Sequence, residues 1–463
     1  VEEIGLAVSP DRLFNSLAER PGSFFLDSAL PMGGLGDHSF IGFDPFLVFR
    51  ACARKISITC DGQVETFTGD PLEELRKLFV RHRSAGADGL PFCGGAVGYI
   101  SYELCAHLDR VPRTSPADLE IPDLEFGFYD GVLAFESVSG RVFLVANPVH
   151  RAHATEIMAR LTGTLQQAVV RCQSGSPDRL DAAAGSEPRA SVSKEDYLSA
   201  VRRIRDYIAA GDVYQVNLSQ RYEARLPCRP YALYQRLRRR SPAPFAAYLN
   251  LGDLQTLSSS PERFLRIQGR RVETRPIKGT RPRGRTREED SRLRAELAAS
   301  EKDRAELLMI VDVERNDLGR VCEFGSIRVE DMFHLESHPT VHHLVANVEG
   351  QLRPGCDVFD CIRAMFPGGS ITGAPKIRAM QIIDEMENRR RYVYTGTIGY
   401  LGFDGGCDLN VAIRTIYCKA GHAYYHVGGG VVWDSDPESE FQETQHKGSA
   451  MHAAIINAEG FCP

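Results

Sequence analysis

A chain of 463 residues, 43% hydrophobic and 25% charged, is long enough for two or three domains or for one large core built from two halves. A net charge of -6 and a pI near 6.2 exclude a global basic field that would recruit nucleic acid, so an anionic ligand must be held by local Arg, Lys and backbone N–H groups. Twelve cysteines stand singly with no CxxC pair, which speaks against a zinc site or a disulfide framework and for a reducing compartment. No apolar run approaches the ~20 residues of a membrane span and no signal pattern opens the chain, so a cytoplasmic location is expected.

Residues 1–150 read as short strands and turns, such as 24–28, 56–59 and 131–135, with a helix over 71–82. The Gly-rich stretch 94–99 lacks the order of a phosphate loop and reads as closely packed strand. An amphipathic helix follows at 151–171, on Ile157, Leu161, Leu165 and Val169. The Ser-, Gly-, Asp- and Pro-rich residues after it are expected to be a mobile linker. The chain thus divides into an N-terminal region 1–171, a linker 172–192 and a region 193–463.

The second region opens with a helix that Ser193 caps and Gly211 ends. A strand at 213–219, a helix at 230–240 and strands at 245–251 and 254–258 come next. A hairpin turning near Gly269 follows, and the basic run Arg281–Arg287 reads as a solvated loop. Further helices are expected at 300–313, 374–386 and 437–456, with strands at 327–333, 340–349, 394–403, 409–418 and 423–427. Strand pairs separated by helices favour an α+β layout over a doubly wound parallel sheet.

The hairpin places Glu262 opposite residues 275–277, which brings a carboxyl within about 5–8 Å of the strand carrying Lys278. A proton donor beside an amine nucleophile suits covalent chemistry, although an exposed cross-strand pair would look the same. Asp303 and Glu306 share one helix face; Glu440, Glu443 and Lys447 share another. Two acidic helix faces suit a hard cation such as Mg²⁺ or are simply solvated. Gly428, Gly429 and Gly430 form either an anion-binding loop or a tight bulge. Arg414, read as projecting from a strand among apolar residues, needs a structural carboxylate or a bound anion. His343 is a strand histidine that could face a site.

Taken in order, these motifs resemble the chorismate-utilising enzymes, the group of anthranilate, aminodeoxychorismate, isochorismate and salicylate synthases. The resemblance rests on Ser260-Pro-Glu262, Pro276-Ile-Lys-Gly-Thr280, Lys302-Asp-Arg-Ala-Glu306, Arg315-Asn-Asp317 and His343-Leu-Val345. It continues through the run from Phe366 to Lys376, Tyr394-Thr-Gly396, Ala412-Ile-Arg-Thr415, Gly428-Gly-Gly-Val-Val432 and Glu440-Phe-Gln-Glu-Thr444 with Lys447, and more loosely through Phe25-Leu-Asp-Ser28 and Gly94–Tyr99.

The resemblance implies a four-layer α/β/β/α core of two orthogonally packed antiparallel sheets. It implies Lys278 as nucleophile, Glu262 as acid and His343 as a further catalytic residue. Mg²⁺ would sit on Glu306 and Glu443, with Asp303 and Glu440 in support. Gln215, Thr280, Tyr394, Thr395, Gly396, Arg414, the three glycines and Lys447 would hold substrate. Anthranilate synthases carry Ala in place of Lys278, and water-adding members carry Lys in place of Gln215. Both positions point to ammonia addition giving 4-amino-4-deoxychorismate, with anthranilate synthesis as the rival and a silent aromatic-metabolite sensor as the non-enzymatic one. Arg275 and Arg281 are expected to lower the proton affinity of Lys278. No glutaminase nucleophile loop is found, so a separate glutamine amidotransferase subunit is expected as partner. Tryptophan, held by some relatives in the N-terminal half, has its expected place near Asp27-Ser28 and 241–245.

Overall fold

A computed structural model describes residues 1–457 apart from 33, 88, 151, 175–184 and 340. Two twelve-stranded sheets dominate it, each an order of eleven strands with one more beside it: Gly373–Ala374 on Gln215–Arg225 in the first, Arg328–Ser337 on Val341–Gln351 in the second. The first runs Glu2–Ile4, Val142–Ala146, Gly131–Glu136, His38–Gly42, Ser23–Asp27, Phe245–Asn250, Leu254–Ser260, Thr415–Lys419, His422–Val431, Gln215–Arg225 and Arg189–Ala190. The second runs Ile277–Pro282, Val341–Gln351, Arg271–Arg275, Arg263–Gln268, Cys407–Asn410, Thr397–Gly402, Gly95–Ile100, Leu124–Tyr129, Leu47–Cys52, Lys55–Cys60 and Gln63–Thr68. Neighbours pair antiparallel throughout these two orders, for example Phe25 with Tyr248 and Val97 with Tyr400.

Alternation along the strands builds the layers. Phe24, Val132, Ala134, Tyr417 and Tyr424 of the first sheet meet Val97, Tyr99, Ile398 and Tyr400 of the second in one apolar cluster. Their sequence neighbours Phe25, Leu133, Ile416 and Tyr425 face the other way, onto Leu161, Leu233 and Ala454 from helices Ala154–Ser174, Pro230–Arg240 and Pro437–Ile456. On the far side, Ala96, Ile100 and Phe126 pack against Leu75, Leu307 and Ile362 from helices Pro71–Arg81, Glu301–Gly319 and Val358–Met365. Period-two strands with both faces buried thus give helix, sheet, sheet, helix.

Both sheets draw strands from either side of the expected 172–192 linker. Residues 175–184 of that stretch lie outside the described residues. On its flanks, the helix continues to Ser174 and Ala190 pairs with Tyr222. The Gly94–Tyr99 expectation holds: a methyl group on Gly98 would lie 1.9 Å from the Glu125 carbonyl oxygen, so only glycine lets these strands approach.

Three expectations change. The single strand at 409–418 is two strands, Cys407–Asn410 in the second sheet and Thr415–Lys419 in the first. The chain crosses between sheets there, which local alternation does not reveal. The loop read at 281–287 is shorter, because Arg281 and Pro282 end a strand and Arg287 begins the helix Arg287–Ala299, capped by Thr286. Gly428 to Gly430 lie inside the strand His422–Val431, paired with Ser219, Leu218 and Asn217, and form no loop. No helix among the described residues is long and apolar enough to cross a membrane.

Candidate active site

The hairpin at Gly269 (φ +60°) sets the register Arg263 to Arg275, which puts Glu262 beside the start of the Ile277–Pro282 strand. The Ile277 N–H points at Glu262 Oε1 from 3.4 Å. Glu262 is buried, and burial pushes its carboxyl up to about 7 against the opposing pull of Ser370 and Lys278. At neutral pH it is therefore a proton carrier. Lys278, half-buried on the next strand, donates from Nζ to the Ser370 carbonyl oxygen at 3.0 Å. Its proton affinity is lowered, first by burial and then by the Lys447 charge, while Glu306, Glu262 and Glu443 oppose the shift.

The lowered proton affinity of Lys278 was expected, but its expected cause is wrong. Arg275 is paired with Glu336, and Arg281 with Glu296 and Asp303. Both guanidinium charges are compensated locally, so desolvation does the work.

Two capped helices bring in the acids. Ser300 accepts from the Asp303 N–H and starts Glu301–Gly319; Asp436 accepts from the Ser439 N–H, with Pro437 in the first turn of the last helix. Glu306 feels Glu443 and Lys278, and Glu443 feels Lys278: burial raises Glu306, whereas the Lys447 ammonium, 2.6 Å from Glu443, lowers Glu443. Glu440 is buried, its Oε1 accepts from Ser435 at 2.6 Å, and its Oε2 has no hydrogen-bond partner among the described residues. Asp303 turns toward Arg281 at 3.1 Å, beside Gly279.

The glycine strand lies against these acids. A methyl group on Gly429 would come within 3.0 Å of Glu440 Oε2, one on Gly428 within 3.0 Å of the Tyr394 hydroxyl, and one on Gly430 within 2.7 Å of Gln215 Nε2. The glycines thus clear space for three functional side chains. The ladder to Thr415–Lys419 stops at Tyr425, so from His426 onward one side of this strand has no partner in that ladder. Lys447 donates to the Gly428 carbonyl there at 3.3 Å. Gln215 is fully buried, and among the described residues neither of its amide atoms has a hydrogen-bond partner, a costly arrangement unless a ligand supplies one.

Arg414 sits at the crossover between the sheets, not on a strand, with φ +48°. It forms no close ion pair among the described residues, and the Glu262 carboxylate acts on its charge only from further off. Its Nη2 points at His343 Nε2 from 3.5 Å, and His343 Nδ1 lies 2.9 Å from Thr280 Oγ1. Arginine can only donate, so Nε2 carries the lone pair and Nδ1 the hydrogen, given to Thr280. Burial and Arg414 hold His343 well below its ordinary range, in the neutral form.

The segment Tyr394 to Gly396 is engaged within the fold. Tyr394 stacks on His426 at 5.1 Å, the Thr395 hydroxyl donates to the Tyr394 carbonyl at 2.6 Å, and the Gly396 N–H donates to Val393 at 3.0 Å. Its anchor, Arg391, is a residue that sequence reasoning missed. Arg391 is buried, ion-paired to Glu387, and donates to the Ile371 carbonyl at 3.0 Å, the Asn217 carbonyl at 2.6 Å and Thr395 Oγ1 at 3.3 Å. It ties the turn carrying Ser370 to the Gln215 strand and the Tyr394 segment. The signal was an arginine three residues before Tyr394 inside an otherwise exposed-looking Arg-Arg-Arg run. Arg391→Ala, which strands Glu387, is expected to cost about 3–5 kcal/mol of stability in urea unfolding.

Glu262 provides a second stability test. Its folded pKa stands above its unfolded value near 4.5, so its contribution is complete below that value and lost as pH rises through about 7. Glu262→Gln is therefore expected to match the parent's melting temperature at pH 4. At pH 8 it should exceed the parent by an amount equivalent to roughly 3 kcal/mol.

A divalent cation fits these residues in a specific way. Among the described residues, Glu306, Glu440, Glu443 and Asp303 bring no three ligand atoms within 4.8 Å of one another, so they do not form a closed cage. The unpaired buried Glu440 Oε2, next to an acid pair, is instead what a hydrated Mg²⁺ with open positions accepts. The expected tryptophan position falls elsewhere, on a cavity of about 340 Å³ between the sheets lined by Asp27, Ser28, His38, Pro244 and Phe245. This cavity is not lined by Lys278, and the Asp27 carboxylate is engaged by Arg238 and Tyr234.

The chain that builds this site matches the family described as chorismate binding enzyme over residues 36–453. The chain belongs to that family. It is 38% identical over 425 residues to aminodeoxychorismate synthase component 1 of Bacillus subtilis, covering 92% of this chain and 90% of that one. It is 41% identical over 458 residues to anthranilate synthase component 1 of Thermus thermophilus, covering 97% and 96%. Its fold matches the crystal structure of anthranilate synthase component I from Streptococcus pneumoniae TIGR4 with a TM-score of 0.80 at 30% identity, covering 91% and 93%.

Proposed function

We propose that this chorismate-utilising enzyme is the chorismate-binding component of an aminodeoxychorismate synthase. The observation that carries the reading is Lys278: an amine of lowered proton affinity, held at 3.0 Å by the Ser370 carbonyl beside a carboxyl that titrates near 7. An anthranilate synthase, with alanine at this position, has no such nucleophile.

In this mechanism neutral Lys278 attacks C2 of chorismate as the C4 hydroxyl departs, and Glu262 protonates that hydroxyl so that water leaves. Ammonia then bonds to C4 and the lysine nitrogen departs from C2, regenerating the amine. Arg414, which forms no close ion pair among the described residues, and Lys447 meet the substrate carboxylates. Neutral His343 orients Arg414, and Gln215 offers its unpaired amide to the incoming nucleophile. Mg²⁺ held by Glu306 and Glu443, with Glu440 and Asp303 around it, would supply charge neutralisation at the ring carboxylate. Ammonia would come from a separate glutamine amidotransferase subunit.

Mass-spectrometric product analysis with chorismate, Mg²⁺ and an ammonium salt tests the reading. The expected product is 4-amino-4-deoxychorismate, converted to 4-aminobenzoate only when a lyase is added. A blue-fluorescent product and pyruvate, formed without a lyase, would reassign the chain to anthranilate synthesis.

A further inference from the structure

The edge hairpin of the second sheet turns through Asp61 and Gly62, both at positive φ, and leaves Cys60 at the end of its first strand. Ninety residues further on, after the Val142–Ala146 strand of the other sheet, the chain passes His150. There His150 Nε2 lies 3.7 Å from Cys60 Sγ and 3.8 Å from an Asp61 carboxylate oxygen. No other three His, Cys, Asp or Glu ligand atoms among the described residues lie within 4.8 Å of one another. The imidazole is stacked on Phe46 at 4.8 Å and 12°, which fixes its plane. Phe46 is backed by Phe128 and Phe403, so one wall of the cluster is apolar. The Asp61 side chain is 48% exposed.

We propose that Cys60, Asp61 and His150 form a zinc site, completed by one solvent molecule. Tetrahedral zinc takes sulfur at ~2.3 Å and imidazole nitrogen at ~2.0–2.1 Å, which sets the two ligands about 3.5 Å apart. The observed 3.7 Å needs only a small adjustment. Thiolate and imidazole donors select a borderline-soft cation over Mg²⁺. The thiol gives up its proton on binding, so affinity rises with pH. Occupancy would tie the edge hairpin of one sheet to the segment that leaves the other. The absence of CxxC spacing does not bear on such a site, because its ligands are assembled by the fold from distant parts of the chain.

Cobalt(II) titration of the chelator-treated full chain tests the proposal, because a thiolate ligand gives a charge-transfer absorption that oxygen ligands do not. One equivalent of Co²⁺ is expected to produce that band together with tetrahedral d–d bands, and Zn²⁺ to displace it. Cys60→Ser should remove the band, and His150→Gln should weaken Co²⁺ binding at least about tenfold, each with an unchanged far-UV spectrum. Glu443→Gln should leave the band intact, since the acidic helices supply no sulfur. Absence of the band at stoichiometric cobalt, or its persistence in folded Cys60→Ser, overturns the site. Should Cys60→Ser fail to fold, unweakened binding to His150→Gln does so.

Discussion

Lys278→Ala is expected to abolish 4-amino-4-deoxychorismate formation, lowering kcat by on the order of 10³-fold or more, as removal of a covalent nucleophile does. No group near Glu262 can replace the amine: Lys447 is paired to Glu443 at 2.6 Å, and Arg414 stays protonated even though burial lowers it to about 10. Intact-mass measurement during turnover should show an adduct on the parent and none on the variant. An adduct of equal yield on the variant would falsify the nucleophile assignment. Substrate binding should survive, since the groups that meet the carboxylates are untouched, so the loss should fall on kcat more than on KM.

Glu262→Gln is the second large effect, expected to lower kcat/KM by about 10²–10⁴-fold through loss of the general acid. The pH profile separates this from a structural cause. Productive enzyme needs Lys278 neutral and Glu262 protonated, so the parent's rate should fall on both sides of an optimum. The acid limb follows protonation of the amine and the alkaline limb ionisation of the carboxyl, raised to about 7 by burial. The two groups feel each other, so the limbs report the pair. In the glutamine variant the alkaline fall should disappear and the residual rate climb to a plateau as Lys278 loses its proton. A retained alkaline limb would remove Glu262 from the acid role.

The lysine–glutamate pair was legible because a hairpin's register follows from its turn, and Gly269 marked the turn. The last helix was legible to its ends, Pro437–Ile456, because Pro at the first turn and an Asp cap announce it. What escaped depends on contacts far apart in the chain. The compensation of Arg275 by Glu336 spans 61 residues, and the Arg391 bond to Asn217 spans 174. The triple glycine read as an anion-binding loop or a tight bulge because its real cause, the close approach of Glu440, Tyr394 and Gln215, comes from three other segments. Arg414 read as a strand residue because nothing local says that the chain changes sheets before Thr415.

The seams between early and late strands bear on how the molecule is made. Ser23–Asp27 pairs early with His38–Gly42 but finds its second partner only at Phe245–Asn250, and Gly95–Ile100 pairs early with Leu124–Tyr129 but finds its second only at Thr397–Gly402. At ~5–20 residues per second, a ribosome leaves the latter strand waiting for on the order of 15–60 s with bare amides along one edge. During that interval the nascent chain offers sticky ribbons to any neighbour, and refolding from denaturant should show the same slow, concentration-sensitive step.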